Sequence, residues 1–275
     1  DTDLRKEKTL NSEKLNIEVE LRKAINNNDF ILNYQPQIDI YNGEITGFEA
    51  LIRWHHKELG TISPSDFIPL AEETGLIKDI GKWVLKTACQ QSRIWQEEGY
   101  RTVRMAINVS IQQLKDPKFI DDVREIIVEN KLDPSYIELE ITENIMRNLA
   151  ELEIVLNKLK QIGVKISIDD FGTGYSSLSV LQGLPINTLK IDQSFINKST
   201  TDQKSAALVK TIIDMGKNLG LDIIAEGIEK KEQVKLLKEN DCRIGQGYLF
   251  SRPLPVGEIA DILDFDTSGF ILDTV

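Results

Sequence analysis

Cysteine occurs only twice, at Cys89 and Cys242, and histidine only as the adjacent pair His55-His56. Two thiols cannot form a disulfide framework, and Cys89 falls on an apolar helical stripe where a small buried thiol is the simpler reading. Neighbouring residues in a strand point to opposite faces, so His55 and His56 cannot both serve one site, which argues against a zinc centre. No apolar run approaches the ~20 residues of a membrane span, and no signal-peptide pattern is visible. Basic residues are also scarce: 33 Lys and Arg face 44 Asp and Glu, a formal net charge of −11. That balance does not suit a DNA-phosphate surface, and an anionic substrate would need metal ions. The expectation is a cytoplasmic domain that binds no DNA and has no membrane segment of its own, even if the full-length protein is membrane-anchored.

What the sequence does contain is a repeated pattern. Asp169 and Asp170 stand side by side where the apolar run 164–168 meets the glycine-rich stretch Phe171-Gly172-Thr173-Gly174-Tyr175-Ser176-Ser177. Two adjacent carboxylates are costly at a strand end unless cations neutralise them. Other β-branched runs end alike: Glu49 follows 45–48, Asn108 follows 103–107, Glu140 follows 137–139, Lys190 follows 188–189 and Glu226 follows 222–225. Gln246 lies in the further run 243–248. From Asn108 onward the intervals between these residues match one strand plus one helix. One polar residue per β/α unit converges on a single mouth if the sheet closes, and 275 residues is the usual size of an eight-fold β/α barrel.

Helical periodicity fills the gaps. The strongest signal spans 76–98, with Ile77, Ile80, Val84, Leu85, Ala88 and Trp95 near i, i+3, i+4 spacing. Further helices are predicted at 15–27, 118–130, 144–162, 202–219 and 230–239, and a first strand at 31–35. Gly163 and Gly220 are placed to end their helices. No second-domain linker or strong repeat interrupts the alternation. The division expected is a linker remnant over 1–14, one barrel over 15–264 and a tail over 265–275.

These residues carry a resemblance that spacing alone does not name. Glu49-Ala50-Leu51, inside Gly47-Phe48-Glu49-Ala50-Leu51-Ile52-Arg53-Trp54, resembles the signature of the EAL family of cyclic-di-GMP phosphodiesterases. Further matches follow in order: Ile107-Asn108-Val109-Ser110, Glu140-Ile141-Thr142-Glu143, Asp169-Asp170-Phe171-Gly172-Thr173-Gly174, Leu189-Lys190-Ile191-Asp192, Ala225-Glu226-Gly227-Ile228-Glu229 and Gln246-Gly247-Tyr248. A lone Glu-Ala-Leu is a common helical tripeptide, but seven motifs in order over roughly residues 20–260 are specific. The departure is His56, where the family often has proline.

The resemblance implies a TIM-like (β/α)8 barrel with one antiparallel strand, and hydrolysis of cyclic di-GMP to linear 5′-pGpG by a water activated between two Mg²⁺ or Mn²⁺ ions. Glu49, Asn108, Glu140 and Asp169 would hold the first ion, and Asp169, Asp170 and Glu226 the second. All-oxygen donors suit hard octahedral cations. Lys190 would orient the nucleophile, with Gln246 as a further hydrogen-bond partner. Arg53 would grip phosphate, and Gln35, Leu51 and Asp192 would line the substrate site. Glu143 and Glu229 would support these residues, Glu143 by holding the loop that begins at Phe171. A homodimer and an upstream sensory or GGDEF-type domain are also implied. Each residue has a plainer rival. Asn108 could cap a turn, Lys190 could be an ordinary strand-end lysine, Glu226 could cap a helix, Arg53 could pair with a nearby carboxylate, and Gly172 and Gly174 would suit any turn. The alternative function is a receptor module that binds the nucleotide without cutting it.

Overall fold

A computed structural model describes residues 17–27, 29–174 and 178–264. The expected linker remnant at 1–14, the start of the first predicted helix, the tail at 265–275 and Tyr175-Ser176-Ser177 lie outside the described residues.

The chain opens with α1 (17–27), β1 (Phe30–Asp39), β2 (Ile45–His56) and β3 (Gly60–Ile62). Next come α2 (Pro64–Thr74), α3 (Ile77–Glu97), β4 (Arg104–Asn108), α4 (Ile111–Leu114) and α5 (Phe119–Glu129). Then β5 (Ile137–Thr142) leads through a 3-10 stretch (Glu143–Asn148) to α6 (Leu149–Ile162) and β6 (Lys165–Phe171). Finally α7 (Leu178–Gly183), β7 (Thr188–Ile191), α8 (Gln193–Lys198), α9 (Gln203–Asn218), β8 (Asp222–Ala225), α10 (Lys231–Glu239), β9 (Ile244–Gly245), β10 (Leu254–Pro255) and α11 (Val256–Asp264) complete it. Strands β2, β4, β5, β6, β7, β8 and β9 run parallel, and β1 pairs antiparallel with both β2 and β9, which closes an eight-stranded mixed barrel.

The strand pattern explains why the barrel closes with its polar residues inside. In β5, Ile137, Leu139 and Ile141 alternate with Glu138 and Glu140, and all five are buried. The apolar set packs outward in the main core, where each fully buried aliphatic side chain contributes ~1.5–3 kcal/mol. The charged set belongs to the other face of the strand, toward the barrel interior. Buried charge costs free energy unless paired, and Glu138 is paired with Arg104 at 3.0 Å and accepts a bond from the Thr188 hydroxyl at 3.1 Å.

The predicted helices appear as α3, α5, α6, α9 and α10, and within α1, with ends shifted by a few residues. The α3 stripe Ile77, Ile80, Val84, Leu85, Ala88, Cys89 and Trp95 is buried. Gly163 caps α6 in the left-handed region at φ 102°, its N–H bonded to the Leu159 and Lys160 carbonyls. β1 is twice as long as predicted, because its later residues Pro36 and Gln37 do not look like strand, yet both are buried. α2 is unpredicted: Pro69 lies inside it, where a missing N–H usually breaks a helix. His56 ties α1 to the β2–β3 turn: Nδ1 accepts from the Glu58 and Leu59 amides, and Nε2 lies 3.1 Å from Glu20. Cys89 and Cys242 are free, buried thiols, each pushed up to about 12 by burial. Among the described residues no helix is long and apolar enough to cross a membrane.

Candidate functional site

Pairing register builds the site. Gln35 lies opposite Glu49 across β1 and β2, Asn108 beside Glu140 across β4 and β5, and Thr142 beside Asp169 across β5 and β6. The residues singled out at strand ends therefore meet at one mouth, as closure requires.

Lys190 organises it. Its side chain is fully buried, and Nζ lies 2.8 Å from both Glu140 and Glu226, 3.3 Å from Asp169 and 3.5 Å from Glu49. An ordinary strand-end lysine would extend to solvent. Burial pushes its ammonium pKa down, but the charges of Asp169, Glu140, Glu226 and Glu49 outweigh that and hold it well above the usual lysine value. Glu49 shows the opposite balance: burial pushes its carboxyl up, while Lys190 and bonds donated by Gln246 at 2.6 Å and Asn108 at 2.7 Å bring it below the usual range. Glu140 is held well above that range, first by burial and then by the charge of Glu49. Burial also raises Glu226, with Asp169 adding to the effect against Lys190.

Asp169, Asp170 and Glu226 each offer a carboxylate oxygen within 4.8 Å of the others. Asp170 sits in the left-handed region at φ 54°, costly for a residue with a Cβ, though Asp tolerates it better than most. Its carboxyl is pushed up to about 6 by desolvation and by the charges of Asp169 and Asp192. Asp192 also caps α8, accepting from the Ser194 amide at 3.0 Å.

The donor set fits hard divalent cations. Every candidate ligand offers oxygen, the carboxylates outnumber the one ammonium among them, and Glu140 Oε1 is buried without a partner. Because Asn108 donates its NH₂ to Glu49, its carbonyl oxygen is left for another partner.

Glu143 accepts from the amides of Gly172 at 3.1 Å and Gly174 at 2.8 Å through one carboxylate oxygen. A Cβ on Gly174 would lie 2.9 Å from that carboxyl carbon, so here the glycine does more than serve a turn. Two hollows meet at Leu51. A polar cleft of about 260 Å³ is lined by Gln35, Glu49, Asp170, Asp192, Glu229 and Tyr248. An apolar cavity of about 420 Å³ lies between β2, α2 and α3, with Arg53, Asn108 and Glu140 at its polar edge. Arg53 donates to its neighbour's carbonyl at 2.8 Å and forms no ion pair among the described residues. Asn108 and Glu226 do not cap helices: Ser110 caps α4, and α10 begins only at Lys231.

Sequence reasoning missed the layer beneath: Gln37, Arg104, Glu138, Ser167 and Thr188, all buried. A signal was available. Gln37, Glu138, Ser167 and Thr188 each lie two positions from a singled-out residue on the same strand, and therefore on the same face.

The fold and site define a TIM-like barrel with an acid-lined mouth. The chain belongs to the EAL domain family, whose model matches residues 18–253. It is 43% identical over 248 residues to the bifunctional diguanylate cyclase/cyclic di-GMP phosphodiesterase MucR of Pseudomonas aeruginosa, covering 90% of this chain and 36% of that protein. It is 40% identical over 253 residues to the cyclic di-GMP phosphodiesterase NbdA of the same organism, covering 92% and 32%. The chain thus spans about a third of the length of these relatives. A solved structure of the PaMucR phosphodiesterase in complex with c-di-GMP superposes with a TM-score of 0.86 at 42% identity, covering 89% of this chain and 99% of that one.

Proposed function

We propose that this domain hydrolyses cyclic di-GMP to linear 5′-pGpG with two bound Mg²⁺ or Mn²⁺ ions. The observation that carries this reading is the set of four carboxylates around one buried ammonium, with Asp170 beside them, at the mouth of the barrel. A receptor needs to recognise the nucleotide but has no need of so costly a cluster.

Glu49, Asn108, Glu140 and Asp169 would hold one ion, and Asp169, Asp170 and Glu226 the other. When bound, divalent cations neutralise the acids and make water a competent nucleophile near neutral pH. This chain's own groups do the rest. Arg53 presents a planar fork to a phosphate, which lysine could not reproduce. Lys190 Nζ orients the nucleophile and stabilises negative charge developing on the phosphoryl oxygens. Gln246 fixes Glu49, Glu143 and Glu229 steady the surroundings, and Gln35, Leu51 and Asp192 line the polar cleft that takes the phosphodiester ring. The apolar cavity takes a purine base. A cytoplasmic homodimer carrying an upstream sensory or GGDEF-type domain completes the proposal; light scattering of the purified domain tests the dimer.

The deciding experiment incubates the domain with cyclic di-GMP and Mg²⁺ or Mn²⁺ and separates the nucleotides by chromatography. One ring opening, giving pGpG, is expected. Unchanged nucleotide with every metal, together with tight binding, leaves the receptor.

A further inference from the structure

Beneath the acids runs a column of side-chain hydrogen bonds. Arg104 donates to Gln37 Oε1 at 3.1 Å, Gln37 Nε2 donates to Gln246 Oε1 at 3.2 Å, and Gln246 Nε2 donates to Glu49 Oε2 at 2.6 Å and to Gln35 Oε1 at 3.0 Å. Gln35 in turn donates to the Ser251 carbonyl at 3.1 Å. All five side chains are buried. An amide can present either its oxygen or its nitrogen, so each glutamine in isolation has two senses. Here each has one. The guanidinium can only donate, so Gln37 must turn its oxygen to Arg104 and its NH₂ to Gln246. The Glu49 carboxylate can only accept, which demands the same sense from the other end.

The space for this column is specific. A Cβ at Gly47 would lie 2.9 Å from Gln37 Oε1 and 3.0 Å from the Arg104 carbonyl oxygen. Arg104 is itself fixed by its 3.0 Å bond to Glu138.

We propose that Arg104 and Gln37 are positioning residues which set the donor sense of Gln246, so that it presents N–H rather than oxygen to Glu49. This rests on Glu49 serving the hydrolytic site, but the column itself can be tested without substrate or metal.

Gln37→Glu keeps the shape and the Arg104 bond but gives Gln246 Oε1 a second acceptor to face. Gln246 must then flip or lose its bond, either of which weakens its hold on Glu49. Gln37→Met removes both bonds yet opposes neither sense. The expected order is therefore Glu worse than Met; a purely structural role predicts Met equal or worse. In the metal-free protein, the Gln246 side-chain NH₂ resonance, assigned by its loss in Gln246→Leu, should shift and lose tenfold or more of its exchange protection in Gln37→Glu. In the metal-loaded enzyme kcat should fall roughly tenfold or more, the usual scale for groups behind a ligand. The same substitution in a Gln246→Leu background should change kcat by less than about twofold, because the residue it acts through is gone. An unmoved Gln246 resonance in folded Gln37→Glu, equal losses in both backgrounds, or Met equal to or worse than Glu would overturn the proposal. Should Gln37→Glu not fold, exchange of the Gln246 NH₂ in Gln37→Met decides: protection lowered tenfold supports the column, and unchanged protection overturns it. If hydrolysis is absent altogether, the resonance still reports on the column, so the two readings fail separately.

Discussion

At the scale of single residues, the site is a balance between one ammonium and several acids, and substitutions should expose each side. Glu49→Ala removes a proposed metal ligand together with the acceptor for Gln246 and Asn108, so hydrolysis should be abolished and metal binding weakened; titration calorimetry with Mn²⁺ and product chromatography check both. Lys190→Ala leaves the proposed ligand oxygens in place. Nucleotide binding should survive in the metal-loaded protein while kcat falls ~10² or more, the scale of one lost electrostatic or proton-transfer contact. Asp170 gives a pH signature. Its carboxyl is raised from 3.8 to about 6, so the metal-free folded state binds the proton more tightly than the unfolded chain. Folding stability is therefore lost as pH rises through that window. Asp170→Asn should raise the metal-free Tm above pH 6, with the gain fading as pH falls through that window and vanishing below 3.8, where both states are protonated. Asn also accepts the left-handed backbone that residue 170 occupies. A gain independent of pH would assign the effect to the backbone.

Among the elements, the strands that carry the site and the long helices were readable from the sequence, and the short helices were not. Strands β2, β4, β5, β6, β7 and β8 show as β-branched runs, and α3 as a long apolar stripe. The helices α7 and α8 have six residues each, under two turns, too short for a period to register. Glu140 could be singled out because a motif and a strand end both point to it. Glu138 carries only the weaker signal of sharing a strand face with Glu140, and its pairing with Arg104 across the barrel interior is not visible until the sheet closes. The most testable element is the turn after β6. Glu143 holds the amides of Gly172 and Gly174 through a single oxygen, and Asp170 lies at the root of this turn. Glu143→Ala should fold, lose most activity and exchange the amides of residues 172 and 174 faster, while strand amides stay protected. Unchanged protection of those two amides would remove Glu143 from its holding role.

For the molecule as a whole, metal ions should be part of stability as well as chemistry. Glu140 and Glu226 are held well above the usual carboxylate range at the centre of the fold, a cost that divalent cations would offset. Chelation should lower Tm, Mg²⁺ or Mn²⁺ should restore it, and the shift should shrink in Glu49→Ala; calorimetry with and without EDTA is the check. The reversed strand has a different consequence. Because β1 runs against its neighbours, Phe30 lies opposite Trp54, beyond Glu49 toward the mouth. A chain feeding an all-parallel barrel enters at the far rim; this one enters on the working side. From Phe30 to Gln35 is five residues of strand, about 17 Å. Tension applied ahead of residue 17 would therefore load β1 in shear, its register with β2 resisting as a zipper under lengthwise pull does, and the side chains at risk of slipping would be those facing Glu49. Pulled by its N-terminal end in a force spectrometer, the domain should yield first along the β1–β2 seam.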